Sequence, residues 1–329
     1  SGLVKEIKEI IPEENLRMGE NKNALPGRVR KNIILPSLAK FEQKLDKKGE
    51  IGIGNMKKAG EFLKEVVALN EENKNFRIFS PDETYSNKIE AVFDVTKRSW
   101  ILPNRPWDKD MARYGRVIEM LSEHTLQGLA EGYILTGRNA IFTSYEAFIQ
   151  IVASMADQYV KFLKVVREIP WRGDVSSFNY ILSSTGWRQD HNGFSHQNPG
   201  FISEMLQKHS PFVRAYFPAD ENSMIAVMNE CLASKNQINI IVSGKTEEPN
   251  WLTLHEAENE LKKGLAVWDF MSDNDPDIVF AGIGDYLTKE AIKGVEEVRK
   301  VAPEIKIRFV NVLELSSIGF GNAVSKMPK

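Results

Sequence analysis

Short apolar runs alternate with helical patterns from Phe76 to Val242, and this alternation constrains the fold more than any other feature of the chain. The apolar runs, which are typical of buried strands, lie at 76–79, 117–121, 140–142, 180–182, 213–217 and 238–242. Helical segments follow three of them, at 125–135, 145–167 and 224–233. Strands that alternate with helices form parallel sheets whose faces the helices cover. We therefore predict an α/β fold with a parallel sheet and helices on both faces.

The pattern divides the chain into three parts. Residues 1–73 contain charged and glycine-rich stretches with scattered apolar residues, and they predict an extended N-terminal arm that lies against another domain or chain. Residues 74–254 hold the α/β domain. Residues 255–329 predict the beginning of a second α/β domain, with a strand at 277–281, a helix at 289–300 and a strand at 305–312. One such unit cannot bury both faces of its sheet, so we expect this domain to be truncated.

Composition excludes several classes of protein. The net charge of −2 over 329 residues provides no basic field that would attract nucleic acid. No apolar run approaches the ~20 residues of a membrane span, and the N-terminus has no apolar signal core. Cys231 is the only cysteine, which excludes an internal disulfide and a cysteine-built zinc site. We expect a cytoplasmic protein without a membrane or nucleic-acid partner.

The segment Trp187–Gly200, with the sequence WRQDHNGFSHQNPG, is the strongest candidate for a ligand site. It follows a predicted strand, and its glycines and proline exclude a regular helix. Parallel sheets place their sites in loops of this kind, beyond the carboxyl ends of the strands. The alternative is a polar turn whose histidines only satisfy the local backbone. We favour the ligand site because its donors and acceptors are so dense; the candidate residues are Gln189, His191, Asn192 and His196.

Other reactive side chains also follow predicted strands. Glu123 is expected to be desolvated, which would raise its pKa and let it share a proton with a ligand nitrogen. Ser86 and Lys88 together suit a phosphate or sugar, Lys245 could bind a phosphate as a point charge, and Tyr145 could contact a ligand. Taken singly, each of these groups has a simpler interpretation. Glu123 and the segment of Ser86 could cap helices, Lys245 could be a surface lysine, and Tyr145 could pack in the core. The carboxyl ends of parallel strands share one edge, so we predict one cleft for all of these groups.

Several segments resemble the middle part of a phosphoketolase, a thiamine diphosphate enzyme related to transketolase. The similar segments, which occur in the order of the family and span roughly residues 60–313, are FRIFSPDETYSNK (76–88), LSEHT (121–125), YILTGR (133–138), SYEAF (144–148), REIPWR (167–172), WRQDHNGFSHQNPG (187–200) and GK (244–245). The resemblance implies a pyrimidine-binding domain. It also implies cleavage of xylulose 5-phosphate, or of fructose 6-phosphate, with inorganic phosphate to acetyl phosphate and an aldose phosphate.

The resemblance also implies roles for individual residues. Glu123 would contact the N1′ atom of the cofactor's aminopyrimidine, and Phe148 would lie against that ring. His191 and His196 would handle substrate and phosphate, with His196 transferring a proton during dehydration. The residues that would line the sugar and phosphate site are Ser86, Lys88, Tyr145, Gln189, His191, Asn192 and Lys245.

Some features depart from the family pattern. Lys88 stands where the family usually has arginine, Asn139 where histidine is common and Asn198 where aspartate is common. The GDG motif that holds Mg²⁺ and the diphosphate does not occur, so we expect that site in an N-terminal domain which this chain lacks. Active sites between the subunits of a homodimer are implied, with the isolated chain inactive. The alternatives are a non-catalytic paralogue that binds or regulates, and a transketolase-type transferase.

Overall fold

The computed structural model describes residues 2–22, 30–82, 84–169, 172–183, 198–208 and 210–319. The strands are β1 (Glu50–Ile51), β2 (Phe76–Ser80), β3 (Arg98–Ser99), β4 (Met111–Ala112), β5 (Val117–Glu119), β6 (Asn139–Ser144), β7 (Phe178–Leu182), β8 (Val213–Tyr216), β9 (Ile238–Val242), β10 (Pro249–Asn250), β11 (Leu265–Val267), β12 (Ile278–Gly282) and β13 (Ile307–Val312). The α-helices of the described residues are α1 (Lys5–Ile10), α2 (Asn55–Leu69), α3 (Glu123–Leu135), α4 (Glu146–Ile149), α5 (Ala153–Arg167), α6 (Gly200–Leu206), α7 (Glu221–Ala233), α8 (Leu254–Lys263) and α9 (Gly284–Val301).

The central sheet has eight strands in the order β4-β3-β5-β2-β6-β7-β9-β8. Every pairing in it is parallel, and the register of the inner strands aligns Ile78 with Ile141, Ile141 with Asn179, and Asn179 with Asn239. The predicted parallel sheet is therefore confirmed. Its parallel order brings the carboxyl ends of β2, β5, β6, β7 and β9 to one edge.

Successive side chains of the inner strands point to opposite faces, and both faces are buried. Ile141 packs into one layer, whereas Ala140 and Phe142 pack into the other. The first layer is completed by α2 and α7, and the second by α3, α5 and α6. Burial on both sides explains why these strands appear in the sequence as continuous apolar runs rather than as an alternation of apolar and polar residues. Helices on both faces are thus confirmed as well.

Part of the predicted N-terminal arm belongs to this core. The apolar face of α2, with Phe62, Leu63 and Val66 fully buried, packs under the sheet together with Phe41. This helix begins after Gly54, whose positive φ of 94° turns the chain into it and whose N–H donates to the buried carboxylate of Glu221. The segment therefore lies against the α/β domain, and the boundary near residue 73 stays a prediction.

The C-terminal part forms a separate small sheet in the order β11-β13-β12. Strands β12 and β13 are parallel and joined by α9, as the sequence predicts, whereas β11 adds an antiparallel edge that was not predicted. Helix α8 begins with a capping box between Thr253 and Glu256 and ends at Gly264 in the left-handed region. The unit is joined to the large sheet at β8, where the Phe217 N–H donates to the Leu313 carbonyl at 2.7 Å.

No helix within the described ranges combines the length and the apolar character that crossing a membrane requires.

Candidate active site

The candidate residues follow different strands at one edge of the large sheet. Ser86 comes after β2, Glu123 after β5, Tyr145 directly after β6, and Lys245 three residues after β9. Strand β7 ends between β6 and β9 and leads into the segment that the sequence singles out. Four candidates in that segment, Gln189, His191, Asn192 and His196, lie outside the described residues.

Lys245, Tyr145 and Ser86 are brought together by three different strands. The ammonium Nζ of Lys245 donates to the Tyr145 Oη at 2.7 Å, and this hydroxyl donates to the Ser86 carbonyl at 3.3 Å. Lys245 is only 4% exposed and Tyr145 only 6%. The surface position that local sequence favours for Lys245 is therefore wrong, because the loop after β9 turns the side chain over the tyrosine ring, 3.9 Å from its centroid.

Burial changes the acidity of this lysine. Desolvation lowers the pKa of Lys245 to about 8, an effect that nearby Lys88 strengthens and nearby Asp82 opposes. The ammonium form still predominates at pH 7. A desolvated ammonium gains more from an anion than a solvated one does, because the surroundings screen the attraction less. The arrangement suits a phosphate group, because no ion pair with a described carboxylate neutralises Lys245 and a phosphate would supply that negative charge.

The turn that carries Ser86 and Lys88 is fixed at both of its ends. Glu119 at the end of β5 accepts from the Thr84 N–H at 2.8 Å and from the Thr84 hydroxyl at 2.6 Å. Ser183 after β7 donates to the Asn87 Oδ1 at 2.6 Å, and both residues are buried. The turn continues through Lys88 with a positive φ of 59°. The described residues 84–88 form turns and not the start of a helix, so helix capping does not explain the segment of Ser86 and Lys88.

Glu123 begins α3 and is partly exposed in this chain. Within the described part of the molecule no hydrogen bond or ion pair engages its carboxylate. The described residues therefore do not produce the desolvation that the sequence predicted for Glu123. Phe148 stacks on Tyr145 with ring centroids 5.7 Å apart, so its ring stands beside the lysine and tyrosine cluster. The roles of Glu123 and Phe148 stay predictions.

Two buried carboxyl groups beside this cluster were missed by the sequence reasoning. Glu146, next to Tyr145, is 2% exposed, and burial raises its pKa to about 8, with a further contribution from the charge of Asp285. Asp285, in the first turn of α9, is equally buried, and desolvation raises its pKa to about 6 although backbone N–H groups stabilise its charge. The SYEAF segment marks the position of Glu146 but not its burial. Nothing in the local sequence marks Asp285.

Two family models match this chain. Residues 57–234 match the family described as D-xylulose 5-phosphate/D-fructose 6-phosphate phosphoketolase, and residues 245–323 match the C-terminal domain of the same family. The chain belongs to the phosphoketolase family. The two matches meet between residues 234 and 245, while the predicted division near residue 254 stays a prediction.

Curated phosphoketolases are similar over nearly the whole chain. A probable phosphoketolase of Rhodopirellula baltica is 46% identical over 316 residues, which is 95% of this chain and 40% of the relative. A probable phosphoketolase of Bradyrhizobium diazoefficiens is 44% identical over 320 residues, again 40% of its length. This phosphoketolase chain therefore spans about 40% of the length of these relatives.

Solved transketolases share the fold of this phosphoketolase chain. A transketolase from Pichia stipitis in complex with sedoheptulose 7-phosphate superposes with a TM-score of 0.61 at 18% identity, over 85% of this chain and 38% of that one. A chain described as a split gene transketolase, an inactive β4 tetramer, superposes with a TM-score of 0.51 at 18% identity, over 79% of this chain and 71% of that one. At this level of identity the likeness concerns the fold alone.

Proposed function

We propose that this chain provides one wall of a phosphoketolase active site. The reaction is the cleavage of xylulose 5-phosphate, or of fructose 6-phosphate, with inorganic phosphate to acetyl phosphate and an aldose phosphate. The observation that carries the proposal is the buried contact between Lys245, Tyr145 and the Ser86 backbone. It joins three segments distant in sequence into a cationic site at the carboxyl edge of the sheet, where parallel sheets bind ligands.

Thiamine diphosphate is the cofactor that membership of the family supports. When bound, it supplies a carbanion and an electron sink for cleavage next to a carbonyl. The carboxylate of Glu123 is partly exposed and no described residue engages it. It fits a role in holding a ring nitrogen, because such a carboxylate can accept or share a proton. The ring of Phe148, stacked at 14° to Tyr145, offers a flat apolar face to the pyrimidine.

The phosphate of the sugar is assigned to the cationic cluster. Lys245 would donate to a phosphate oxygen while Tyr145 holds the ammonium in place. Lys88 would add a second positive charge from the neighbouring turn, and Ser86 a hydroxyl. The cluster binds an anion without a metal ligand of its own, because lysine, serine and tyrosine provide hydrogen-bond donors rather than the carboxylates that Mg²⁺ prefers.

The 187–200 segment would supply the remaining donors. Gln189 and Asn192 match residues that line the sugar site, and His191 and His196 match the residues that handle substrate and phosphate. A histidine titrates near pH 7, which suits His196 for the proton transfer that dehydration needs. These assignments rest on the motif, since the four residues lie outside the described ranges.

The whole protein would complete the site with parts that this chain does not show. We propose that Mg²⁺ and the diphosphate are held by an N-terminal domain, and that a homodimer forms the active site between its subunits. The coverage of about 40% of the relatives supports this arrangement. On the same ground we propose that residues 1–329 alone do not turn over. The chain described as a split gene transketolase, an inactive β4 tetramer, consists largely of the same part of the fold as this chain, which is consistent with this proposal.

The test measures acetyl phosphate formed by the whole protein from xylulose 5-phosphate and phosphate, with thiamine diphosphate and Mg²⁺ present. We expect product that depends on phosphate, and a higher KM for xylulose 5-phosphate when Lys245 is changed to alanine. Product that instead depends on an added aldose would identify a transketolase-type transferase. No product in either assay from a folded protein that binds the cofactor would identify a non-catalytic paralogue. Acetyl phosphate from residues 1–329 alone would contradict the proposed division of the site.

A further inference from the structure

The loop that carries Lys245 is held by a carboxylate of the C-terminal unit. The Oδ2 atom of Asp285, in the first turn of α9, accepts from the Gly244 N–H at 2.6 Å and from the Ser243 hydroxyl at 3.5 Å. Its Oδ1 accepts from the Tyr286 N–H at 2.8 Å. Asn55, at the start of α2, donates to the same Oδ2 at 3.3 Å. The carboxylate thus joins three parts of the chain at the residue immediately before Lys245.

Two further contacts attach the same loop to the same helix. The hydroxyls of Thr246 and Tyr286 hydrogen-bond to each other. Lys289, one turn further along α9, forms an ion pair with Glu248. Residues on both sides of Lys245 are therefore attached to α9, while the lysine side chain itself points to Tyr145 in the large sheet.

Gly244 permits the close approach of Asp285. A Cβ atom at this position would lie 2.8 Å from the Asp285 Oδ2 and 3.1 Å from a ring carbon of Tyr286. The first distance is shorter than van der Waals contact, so any larger residue would push the loop away from the carboxylate. The glycine is needed for proximity and not for a left-handed backbone, because its φ is not among the positive ones.

An ionised carboxylate is costly at this depth, and the described donors around Asp285 compensate part of that cost. Asp285 is 2% exposed and lies beside a second carboxyl, Glu146, and near a third, Glu248. A buried charge is tolerated when hydrogen bonds satisfy it, and the shortest of these bonds comes from the Gly244 N–H. The hydrogen bond from the Gly244 N–H to Asp285 therefore has two effects: it holds the loop, and it stabilises the buried carboxylate.

We propose that Asp285 is a positioning residue that holds the Ser243–Gly244 backbone so that Lys245 reaches Tyr145 and the sugar phosphate. The part concerning the sugar phosphate rests on the proposed function. The part concerning Lys245 and Tyr145 is a property of the fold and can be tested without turnover. Through Asp285, the C-terminal unit acts on the active site of the α/β domain without contacting the ligand.

The first test measures the pKa of Lys245 in the whole protein by competitive acetylation across pH, with mass spectrometry of the Lys245 peptide. An asparagine has a single acceptor oxygen, so in Asp285→Asn the amide NH2 group meets the N–H donor on one of the two sides that the carboxylate serves, Gly244 and Tyr286. We expect this to release the loop and solvate Lys245, so that its pKa rises by at least a unit, toward that of an ordinary lysine. Loss of a nearby negative charge without displacement would lower the pKa. An unchanged or lowered pKa would therefore overturn the proposal.

Glu290→Gln is the matched control, because it removes one negative charge from the exposed side of the same helix. It should leave the pKa of Lys245 where it is in the unsubstituted protein. Gly244→Ala is the second variant, and it carries the test if Asp285→Asn does not fold cooperatively. It displaces the loop while the carboxylate remains, and the same rise in the pKa of Lys245 is expected.

The second test is a double-mutant cycle on KM for xylulose 5-phosphate. If Asp285 acts through Lys245, Asp285→Asn raises KM at least ~5-fold alone but adds less than ~2-fold to Lys245→Ala. Additive effects would show that Asp285 does not act through Lys245. An unchanged KM in Lys245→Ala would instead contradict the proposed function, while the acetylation result would still decide whether Asp285 positions the lysine.

Discussion

The Nζ of Lys245 lies 2.7 Å from the Oη of Tyr145, although 100 residues separate them in the sequence. The contact joins the end of β9 to the end of β6 across the intervening strand β7. It buries a cation against an aromatic ring and a hydroxyl, at the edge of the sheet where the family's substrate site is expected.

Changing Tyr145 to phenylalanine keeps the ring and removes the acceptor of the Lys245 ammonium. A hydrogen bond to a charged group contributes about 1.5–3 kcal/mol, so we expect KM for the sugar phosphate to rise roughly 10- to 100-fold. Steady-state kinetics of the whole protein measures this change. Tyr114→Phe, at a side chain that is 70% exposed, is the control and should leave KM unchanged. Equal KM values in both variants would show that the Tyr145 hydroxyl does not position the lysine.

Changing Lys88 to arginine should strengthen phosphate binding. A guanidinium can donate two parallel hydrogen bonds to a phosphate, whereas an ammonium acts as a point charge. One additional hydrogen bond of about 1 kcal/mol corresponds to a KM lowered roughly 5-fold. Lys64→Arg makes the same exchange in the ion pair with Asp94, away from the site, and should have no effect. A KM that stays the same or rises in Lys88→Arg would remove Lys88 from the phosphate site.

Changing Glu123 to glutamine should lower kcat of the whole protein by at least about 100-fold, because the amide cannot share a proton with a ring nitrogen. The apparent affinity for thiamine diphosphate, measured by calorimetry, should also fall. Glu131→Gln is the matched control on the same helix, because the Glu131 carboxylate accepts from Gln127. Near-normal turnover in Glu123→Gln would exclude Glu123 from the cofactor site.

Changing Ser183 to alanine should destabilise the turn that carries Ser86 and Lys88. The substitution removes the hydrogen bond of 2.6 Å that the Ser183 hydroxyl donates to the buried Asn87 oxygen, at a cost of about 0.5–1.5 kcal/mol. Urea unfolding of the whole protein measures the loss. Ser37→Ala is the control, since Ser37 is exposed and its side chain makes no capping bond. Equal stability of the two variants would show that the turn does not depend on Ser183.

Glu146 should make stability fall as pH rises. Burial raises the pKa of Glu146 from 4.5 to about 8, so the folded protein resists ionising this group more than the unfolded chain does. The contribution of Glu146 is therefore fully present below pH 4.5 and is lost progressively as pH rises through about 8. Glu146→Gln removes this dependence. The free energy of unfolding of Glu146→Gln, relative to that of the unsubstituted protein, should therefore increase by on the order of a few kcal/mol as pH rises across this window.

The measurement is chemical denaturation at several pH values between about 5 and about 9. Asp285 titrates in the same window with its pKa at about 6, but it is present in both proteins. Glu290→Gln, at an exposed carboxylate, should show no change relative to the unsubstituted protein. A difference between Glu146→Gln and the unsubstituted protein that is constant with pH would show that Glu146 ionises normally.

The motifs that resemble the family were sufficient to predict, from the sequence alone, the correct family and the positions of most strand ends. Local patterns were less reliable at single residues. Lys245 looked like a surface lysine, because the few residues around it contain no sign of the tyrosine ring that covers it. Glu123 looked desolvated, because it follows an apolar strand, yet in this chain it remains partly exposed. The sequence did not indicate the role of Asp285. The helix that carries it, α9, meets the 243–248 loop only because the chain folds back after β11 and β12.

By itself the sequence determined the parallel sheet with its two buried faces. The physical reason is local: apolar runs and helical spacing are properties of neighbouring residues, and few architectures bury them in that order. Only the tertiary structure decided which polar groups meet at the edge of the sheet, and in what electrostatic state. The burial of Lys245, Glu146 and Asp285 depends on elements up to 230 residues apart, as between Asn55 and Asp285. Desolvation is a property of that assembled environment, and no local pattern of residues encodes it.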